Sequence, residues 1–174
     1  MKKRFILCWL SIWLLLELAG CGDVEAIWKQ SLSEKLGFDC SQAEMMDSYD
    51  SHGGFNGDGS SLYTLQFSQV NAVEALRTIK SSDQWHELPL PDEYTAEIYG
   101  LEKEYYYYTP SLIRDDDWDH PLMPRVKNGY YLFIDRGSTL SDDKDAPVSR
   151  DYLNYSIAIF DTDHNTLYYG ESDS

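Results

Sequence analysis

The sequence predicts an α+β domain built on a five-stranded, mainly antiparallel sheet with two helices. Alternating apolar and polar runs indicate the strands, and two segments with apolar residues every three or four positions indicate the helices. The connections between most successive strands are of turn length, which pairs strands antiparallel and leaves the helices to cover one face of the sheet. The predicted order is helix, strand, strand, helix and three strands, in a single domain that spans residues 21–174.

The first 20 residues have the pattern of a bacterial lipoprotein signal peptide. Residues 2–4 are basic, residues 5–16 are almost continuously apolar, and residues 18–21 read Leu-Ala-Gly-Cys, as in a lipobox. An apolar run of about 12 residues is short of the roughly 20 that a membrane-spanning helix needs. We therefore expect residues 1–20 to be removed, and Cys21 to carry a diacylglycerol and a fatty acid such as palmitate. The protein would be held on the extracytoplasmic face of the cell membrane.

The predicted mature chain is strongly acidic. The whole sequence has 14 basic and 30 acidic side chains, a net charge of −16. Residues 1–20 contain three basic residues and one acidic residue, so the rest carries 11 basic and 29 acidic side chains, a net charge of −18. This charge argues against nucleic acid as a partner. The expected partners are the membrane, through the lipid, and an unknown protein or small-molecule ligand.

Cysteine use excludes two classes of small exported protein. Cys8 leaves with the signal peptide and Cys21 is expected to carry lipid, so Cys40 has no cysteine partner. The domain is therefore neither a disulfide scaffold nor a cysteine-ligated zinc protein. Cys40 is predicted to be a small buried residue on a strand.

The first predicted helix runs from Asp23, as its cap, to about Leu36. Lys35 followed by Gly37 is a typical helix stop, and apolar residues on one stripe predict the buried side. That stripe consists of Val24, Ile27, Trp28, Leu32 and Leu36. Because the helix begins almost at Cys21, we expect little tether between the lipid and the domain.

Two strands around a glycine-rich loop predict a hairpin. Residues 38–49 alternate at their start, and residues 62–68 alternate cleanly, with Leu65 and Phe67 on one face. Residues 50–59 lie between them and contain four glycines. Glycine, asparagine and aspartate are typical of hairpin turns.

A second helix and a long irregular region follow. Asn71 and Glu74 resemble a capping box that opens a helix ending near Lys80. Its predicted buried side consists of Ala72, Val73, Leu76 and Ile79. Residues 98–100 are predicted to be briefly extended, and residues 101–124 to form a long excursion, partly ordered by its aromatic residues, of a kind that is often functional.

Three strands complete the predicted sheet. Residues 129–135 and 152–160 alternate well, and residues 166–170 close a C-terminal hairpin. Residues 161–165 between the last two strands begin like a calcium loop, but Thr166 stands where that loop requires glycine. An Asx-rich hairpin turn is the preferred interpretation.

The loop of residues 50–59 is the first candidate functional site. Its potential ligands are Asp50, His52, Asn56 and Asp58. Their oxygens and nitrogen could bind a divalent cation such as calcium, although the EF-hand pattern is absent. Glycines that only shape the turn, contact with a ligand, and catalysis are the alternatives. No cofactor is expected unless calcium binds here.

Tyrosine supplies the second candidate. All 14 tyrosines lie after residue 22, and residues 105–108 form a run that one strand cannot bury. Tyrosine is favoured at binding interfaces because it gives a large contact area at low entropic cost. The candidate binding-surface residues are Tyr105, Tyr106, Tyr107, Tyr108 and Trp118. The acidic stretch of residues 115–120 is predicted to be a solvated loop.

The sequence contains none of the common catalytic motifs. H-E-x-x-H, G-x-S-x-G and a glycine-rich phosphate loop ahead of a helix are all missing, so no catalytic residue is assigned. The leading hypothesis is a non-enzymatic, membrane-anchored binding or interaction module. A cation-binding surface protein that uses the residue 50–58 loop is the alternative, and a hydrolytic enzyme without a recognisable motif is a further one.

Three segments carry a resemblance to a known group. Residues 51–59, 128–136 and 157–169 resemble short uncharacterised lipoproteins of gut-type low-GC Gram-positive bacteria. The resemblance extends over most of residues 38–171 and favours a lipoprotein. It implies no activity and no functional residues.

Overall fold

The protein was analysed as a computed structural model that describes residues 24–53, 57–102, 108–109, 113, 121–137 and 154–173. The predicted signal peptide and Cys21 lie outside these residues. Contacts divide the described chain into two units, one that ends at Ser41 and one that begins at Gln42. The first contains helix α1, Val24–Leu36, and the second contains a mainly antiparallel sheet with further helices, so the predicted α+β class is confirmed.

Helix α1 has the predicted length, and its buried side agrees with the predicted stripe at Leu32 and Leu36 but not at Val24 and Ile27. The helix ends at Leu36 and is followed by Gly37, whose φ is 79° and whose N–H donates to the Ser33 carbonyl over 2.9 Å. The buried positions are Lys29, Leu32 and Leu36, whereas Val24 and Ile27 from the predicted stripe are 75% and 63% exposed. Apolar spacing alone could not show that the stem of a lysine replaces them. The predicted cap, Asp23, lies outside the described residues.

Within the described residues, the sheet has six strands, whereas the sequence predicted five. The strands are β1 Glu44–Asp50, β2 Gly59–Gln66, β3 His86–Glu87, β6 Gly129–Asp135, β7 Tyr155–Asp161 and β8 Thr166–Asp173. In the sheet they lie in the order β1-β2-β8-β7-β6-β3, and all neighbours are antiparallel. A separate two-stranded ribbon pairs β4, Leu101–Glu102, with β5, Tyr108–Thr109. The strand missed in the sheet, β3, has two residues, too few for an alternating pattern.

The predicted strand at residues 38–49 begins too early. Strand β1 starts only at Glu44, and Cys40 is fully buried but precedes the strand. The Cys40 N–H donates to the Ser33 hydroxyl over 2.8 Å, so this segment folds back on α1. Its alternation reflects burial in a turn, which has the same sequence pattern as a half-buried strand.

There are three helices in the described chain, and the sequence predicted two. Helix α2 spans Gln69–Ser81, and its N-cap is Ser68, whose side chain accepts from the Asn71 N–H over 3.3 Å. The capping residue therefore lies three positions before the predicted Asn71. Its buried residues are Ala72, Ala75 and Ile79, and Val73, predicted to be buried, is 49% exposed.

Helix α3, Asp92–Tyr99, was not predicted, and its last two residues belong to the piece, residues 98–100, that was predicted to be extended. It follows Pro91, has two acidic residues in its first turn, and ends at Gly100, whose φ is 77°. These are typical helix boundary signals, but Ile98 is the only buried residue within the helix. Among the described residues, no helix is both long enough and apolar enough to cross a membrane.

The central strands are buried on both faces of the sheet. One face carries Ile157 and Ile159 in a cluster with Ile98 of α3, so α3 covers this side. Phe160 of the same strand points to the other face, where its ring lies 5.5 Å from that of Phe67. Leu76 of α2 lines a cavity with Tyr130, which pairs with Phe160. Helices α2 and α3 therefore lie on opposite faces of the sheet.

Ile113 anchors the described part of the 101–124 excursion to the α3 face. It is fully buried, and a Cβ built on Gly170 would lie 2.6 Å from its Cδ1. The Ile113 carbonyl also accepts from the Leu122 N–H over 3.0 Å. A glycine on β8 therefore makes room for this contact.

Candidate functional site

The predicted loop site contains a histidine held between two carboxylates. His52 Nδ1 lies 2.7 Å from Asp50 Oδ1, and its Nε2 lies 3.0 Å from Asp173 Oδ2. Asp173 Oδ1 lies 3.0 Å from Arg136 Nη1. We call these four residues, Asp50, His52, Asp173 and Arg136, the His52 cluster. The sequence pointed to the first two of them.

The β1–β2 hairpin fixes the position of His52. The Ser51 N–H donates to the Ser60 carbonyl over 2.9 Å, and the His52 N–H donates to Asp50 Oδ1 over 2.9 Å. Gly59 passes so close that an added Cβ would lie 2.7 Å from both Cα and N of His52. Glycine is therefore required at this position for close approach of the two backbones.

The other half of the cluster comes from the far end of the chain. Asp173 is the last residue of β8 and pairs with Gly59 across the β2–β8 ladder. Arg136, directly after β6, donates from Nη2 to the carbonyls of Tyr155 and Ser172 over 3.0 and 3.1 Å. The cluster thus ties the hairpin to the ends of three other strands of the sheet.

Electrostatics favour a charged imidazolium at this position. Partial burial lowers the pKa of His52, but hydrogen bonds to Asp50 and Asp173 and the charges of both carboxylates raise it more, so the net direction is upward. Burial acts to raise the pKa of Asp50, but the His52 backbone N–H, ring and charge lower it overall. The pair is therefore stabilised in its ionised form.

This geometry suits a structural role for His52. A general base or a metal ligand needs an imidazole nitrogen with a free lone pair, and both His52 nitrogens face carboxylate oxygens. Asn56 lies outside the described residues, and Asp58 is exposed. Over the described ranges, no three His, Cys, Asp or Glu side chains are placed to share a metal ion.

A second group of polar side chains lies on the sheet next to the cluster. Glu171 Oε1 accepts from the Ser156 hydroxyl over 3.1 Å and from the Tyr169 hydroxyl over 2.5 Å. Ser61 pairs with Glu171 in the β2–β8 ladder and is only 1% exposed. A substrate cannot reach a serine buried to this degree.

The turn of residues 161–165 has the geometry expected of an Asx-rich hairpin turn. Asp161 Oδ1 accepts from the N–H groups of Asp163 and His164 over 2.8 and 3.2 Å. His164 Nδ1 lies 2.8 Å from Asp161 Oδ2, and Asn165 has a φ of 54°. Neighbouring segments bond to other polar groups of the turn: Asn128 donates to Asp163 Oδ2, and Gln66 donates to the His164 carbonyl, each over 2.8 Å.

The predicted aromatic surface cannot be located on the structure. Tyr105, Tyr106, Tyr107 and Trp118 lie outside the described residues, and Tyr108 is described only as part of β5.

A different set of aromatic residues forms a continuous row on the α3 face. Phe133 stacks on Tyr155 with 5.1 Å between ring centroids, and Tyr94 stacks on Phe133 at 4.2 Å and 6°. Tyr131 meets Tyr94 edge-on at 6.2 Å. We call Tyr155, Phe133, Tyr94 and Tyr131 the aromatic row. Tyr155 and Tyr131 are buried, and Phe133 and Tyr94 are partly exposed.

The charges of two carboxylates, Glu93 and Asp135, act on Tyr94, a partly exposed member of the aromatic row. Partial burial raises the pKa of Tyr94, and the negative charges of Glu93 and Asp135 raise it further. Burial also raises the pKa of Glu97, one turn away on α3. The acidic residues at the start of α3, next to Tyr94, were the sequence signal for this site. The signal was not recognised because the sequence did not predict the helix.

Comparisons of the chain with protein-family models, with curated proteins and with solved structures give no match.

Proposed function

We propose that the mature chain is a lipid-anchored, extracytoplasmic interaction module without enzymatic activity, and that the aromatic row contacts its partner. The observation that carries this proposal is the partly exposed stack of Tyr94 on Phe133, with the charges of two carboxylates acting on Tyr94. Rigid aromatic side chains give contact area at low entropic cost. The acidic surroundings favour a partner that carries positive charge.

The geometry of the His52 cluster supports the non-enzymatic part of the proposal. Its imidazole is engaged on both sides, and the neighbouring Ser61 hydroxyl is buried. The other two described histidines lie elsewhere. His164 is part of the 161–165 turn, and the His86 ring lies against the Tyr131 ring with 5.5 Å between the ring centroids.

Photo-crosslinking in the producing cells tests the binding surface. A benzoyl-phenylalanine placed at Tyr94 should give a discrete crosslinked product, and Glu93→Gln in the same protein should reduce its yield. The matched control is the same probe at Val73, an exposed residue of α2. Products of equal yield at both positions, or none at Tyr94, would contradict the proposed surface.

Metabolic labelling with a palmitate analogue tests the anchor separately. The protein should take up label and sediment with membranes, and Cys21→Ala should abolish both. A Cys21→Ala protein that keeps its label and its membrane fraction would contradict lipidation at this residue.

A further inference from the structure

We infer that the first turn of α1 rests on the lipid surface to which the protein is anchored, through the side chains of Val24 and Ile27. The inference depends on the proposed lipid anchor at Cys21 and adds a direct protein–lipid contact to it. Val24 and Ile27 are 75% and 63% exposed. Residues three apart lie on the same side of a helix, so the two side chains form one small apolar surface.

This surface lies opposite the buried side of the helix. With 3.6 residues per turn, the direction of Ile27 is almost opposite the centre of the buried stripe. That stripe consists of Lys29, Leu32 and Leu36. Folding of the described chain therefore leaves Ile27 in solvent, although the sequence spacing had predicted that it would be buried.

The outward side of α1 changes character after its first turn. Gln30, Ser31 and Glu34 follow Ile27 on that side, and all three are exposed and polar. The apolar part is thus confined to the end of the helix that is nearest to Cys21. A helix that leaves a lipid surface and enters water is expected to have this distribution.

Chain length places the apolar turn within reach of the headgroups. Val24 is three residues after Cys21, so the two Cα atoms are at most about 10 Å apart. Ile27 adds about 4.5 Å of helix rise. The acyl chains hold Cys21 at the bilayer interface, and the headgroup region is roughly 5–7 Å thick on each side.

The local charge is compatible with this contact. Glu25, the acidic residue of the first turn, pairs with Lys29 at 2.6 Å, so its negative charge is compensated, and Lys29 belongs to the buried side of the helix, away from Ile27. The negative charge of the whole domain disfavours anionic lipids. The contact should therefore form on zwitterionic phosphatidylcholine, where apolar burial provides the attraction.

Nitroxide accessibility measures the contact directly. The lipidated mature protein is labelled at Ile27→Cys or, as the matched control on the same side of the helix, at Glu34→Cys. Each is reconstituted in phosphatidylcholine vesicles. Cys40 should not react, because it is fully buried and burial raises the pKa of its thiol to about 12. Both sites are exposed, so the substitutions should leave the fold intact.

The accessibility of each label to a water-soluble nickel relaxant is compared between the vesicle-bound protein and the lipid-free Cys21→Ser protein. At position 27 it should be at least about threefold lower in vesicles, because the interface excludes the relaxant. The label at position 34 should not change. If the protein sediments with vesicles but position 27 stays as accessible as position 34, the inference is wrong and the anchor stands. If the protein does not sediment, the proposed anchor fails as well. Equal protection of position 27 in the lipid-free protein would indicate a protein contact and also overturn the inference.

Discussion

Two aspartate–histidine pairs lie at opposite ends of the sheet, and they join different parts of the chain. His52 is 24% exposed in its side chain and reaches Asp173, 121 residues later in the chain. His164 is 74% exposed and contacts Asp161, three residues earlier. The first pair joins a hairpin to the C-terminal strand, and the second completes a single turn.

We expect an aspartate–histidine contact to affect stability differently at these two positions. The pKa of His164 is raised by its hydrogen bond to Asp161 and by the charge of that carboxylate, and the pKa of His52 is raised as well. Solvent screens the interaction at His164, which is 74% exposed although the Asp161 side chain is only 9% exposed, and the two residues remain neighbours in the unfolded chain. The His52 cluster joins distant segments, so unfolding separates His52 from Asp173 and Arg136.

The largest expected effect on stability comes from a substitution that displaces the backbone of His52. Gly59→Ala places a Cβ 2.7 Å from the backbone of His52, and we expect the free energy of unfolding to fall by about 2 kcal/mol. Gly53→Ala is the control, since its added Cβ would meet only the Ser51 carbonyl at an ordinary 3.7 Å. It should change stability by less than about 0.5 kcal/mol. Urea denaturation of both variants provides the comparison, and equal losses would argue against a tightly held His52.

A smaller effect is expected from pH. Because the pKa of His52 is raised above its ordinary 6.5, its contribution is complete below pH 6.5 and is lost as pH rises through the folded-state pKa. Because the pKa of Asp50 is lowered below 3.8, its contribution is complete above pH 3.8 and is lost as pH falls through the depressed value. The stability difference between wild type and His52→Gln should therefore be largest between these limits. A difference that grows above pH 7 would contradict the assignment.

Prediction from sequence succeeded where a strand has its own pattern. Strand β6, Gly129–Asp135, has the predicted bounds, because its side chains alternate between two covered faces. Helix α3 was missed because Tyr94 and Tyr99 are only partly buried, which leaves no apolar stripe. The turn signals around it, Pro91 and Gly100, were present in the sequence, but without a stripe they also fit a loop.

The candidate site was half predictable for a related reason. Asp50 and His52 are two residues apart in a glycine-rich loop, so their proximity can be read from the sequence. Asp173 and Arg136 arrive through strand pairing, which depends on the register of the whole sheet. Short sequence patterns carry no information about such long-range contacts.

The smallest expected effect comes from calcium. In the structure, the carboxylate of Asp50 is engaged by His52, so we expect the same melting temperature with millimolar calcium and with chelator. Asp58→Ala, at an exposed position in the loop, should behave identically. A calcium-dependent rise that Asp58→Ala abolishes would instead support the cation-binding alternative, because a ligand that binds only the folded state stabilises it.

A double-mutant cycle tests the structural role of His52 most directly. The free energy of unfolding is measured at pH 6 for wild type, His52→Gln, Asp173→Asn and the double variant. The same cycle with His164→Gln and Asp161→Asn provides the comparison. We predict a coupling of about 1 kcal/mol or more between His52 and Asp173, as for hydrogen bonds between charged groups. We predict no detectable coupling between His164 and Asp161, because the His164 side chain is 74% exposed. Additive effects of His52→Gln and Asp173→Asn would contradict the account.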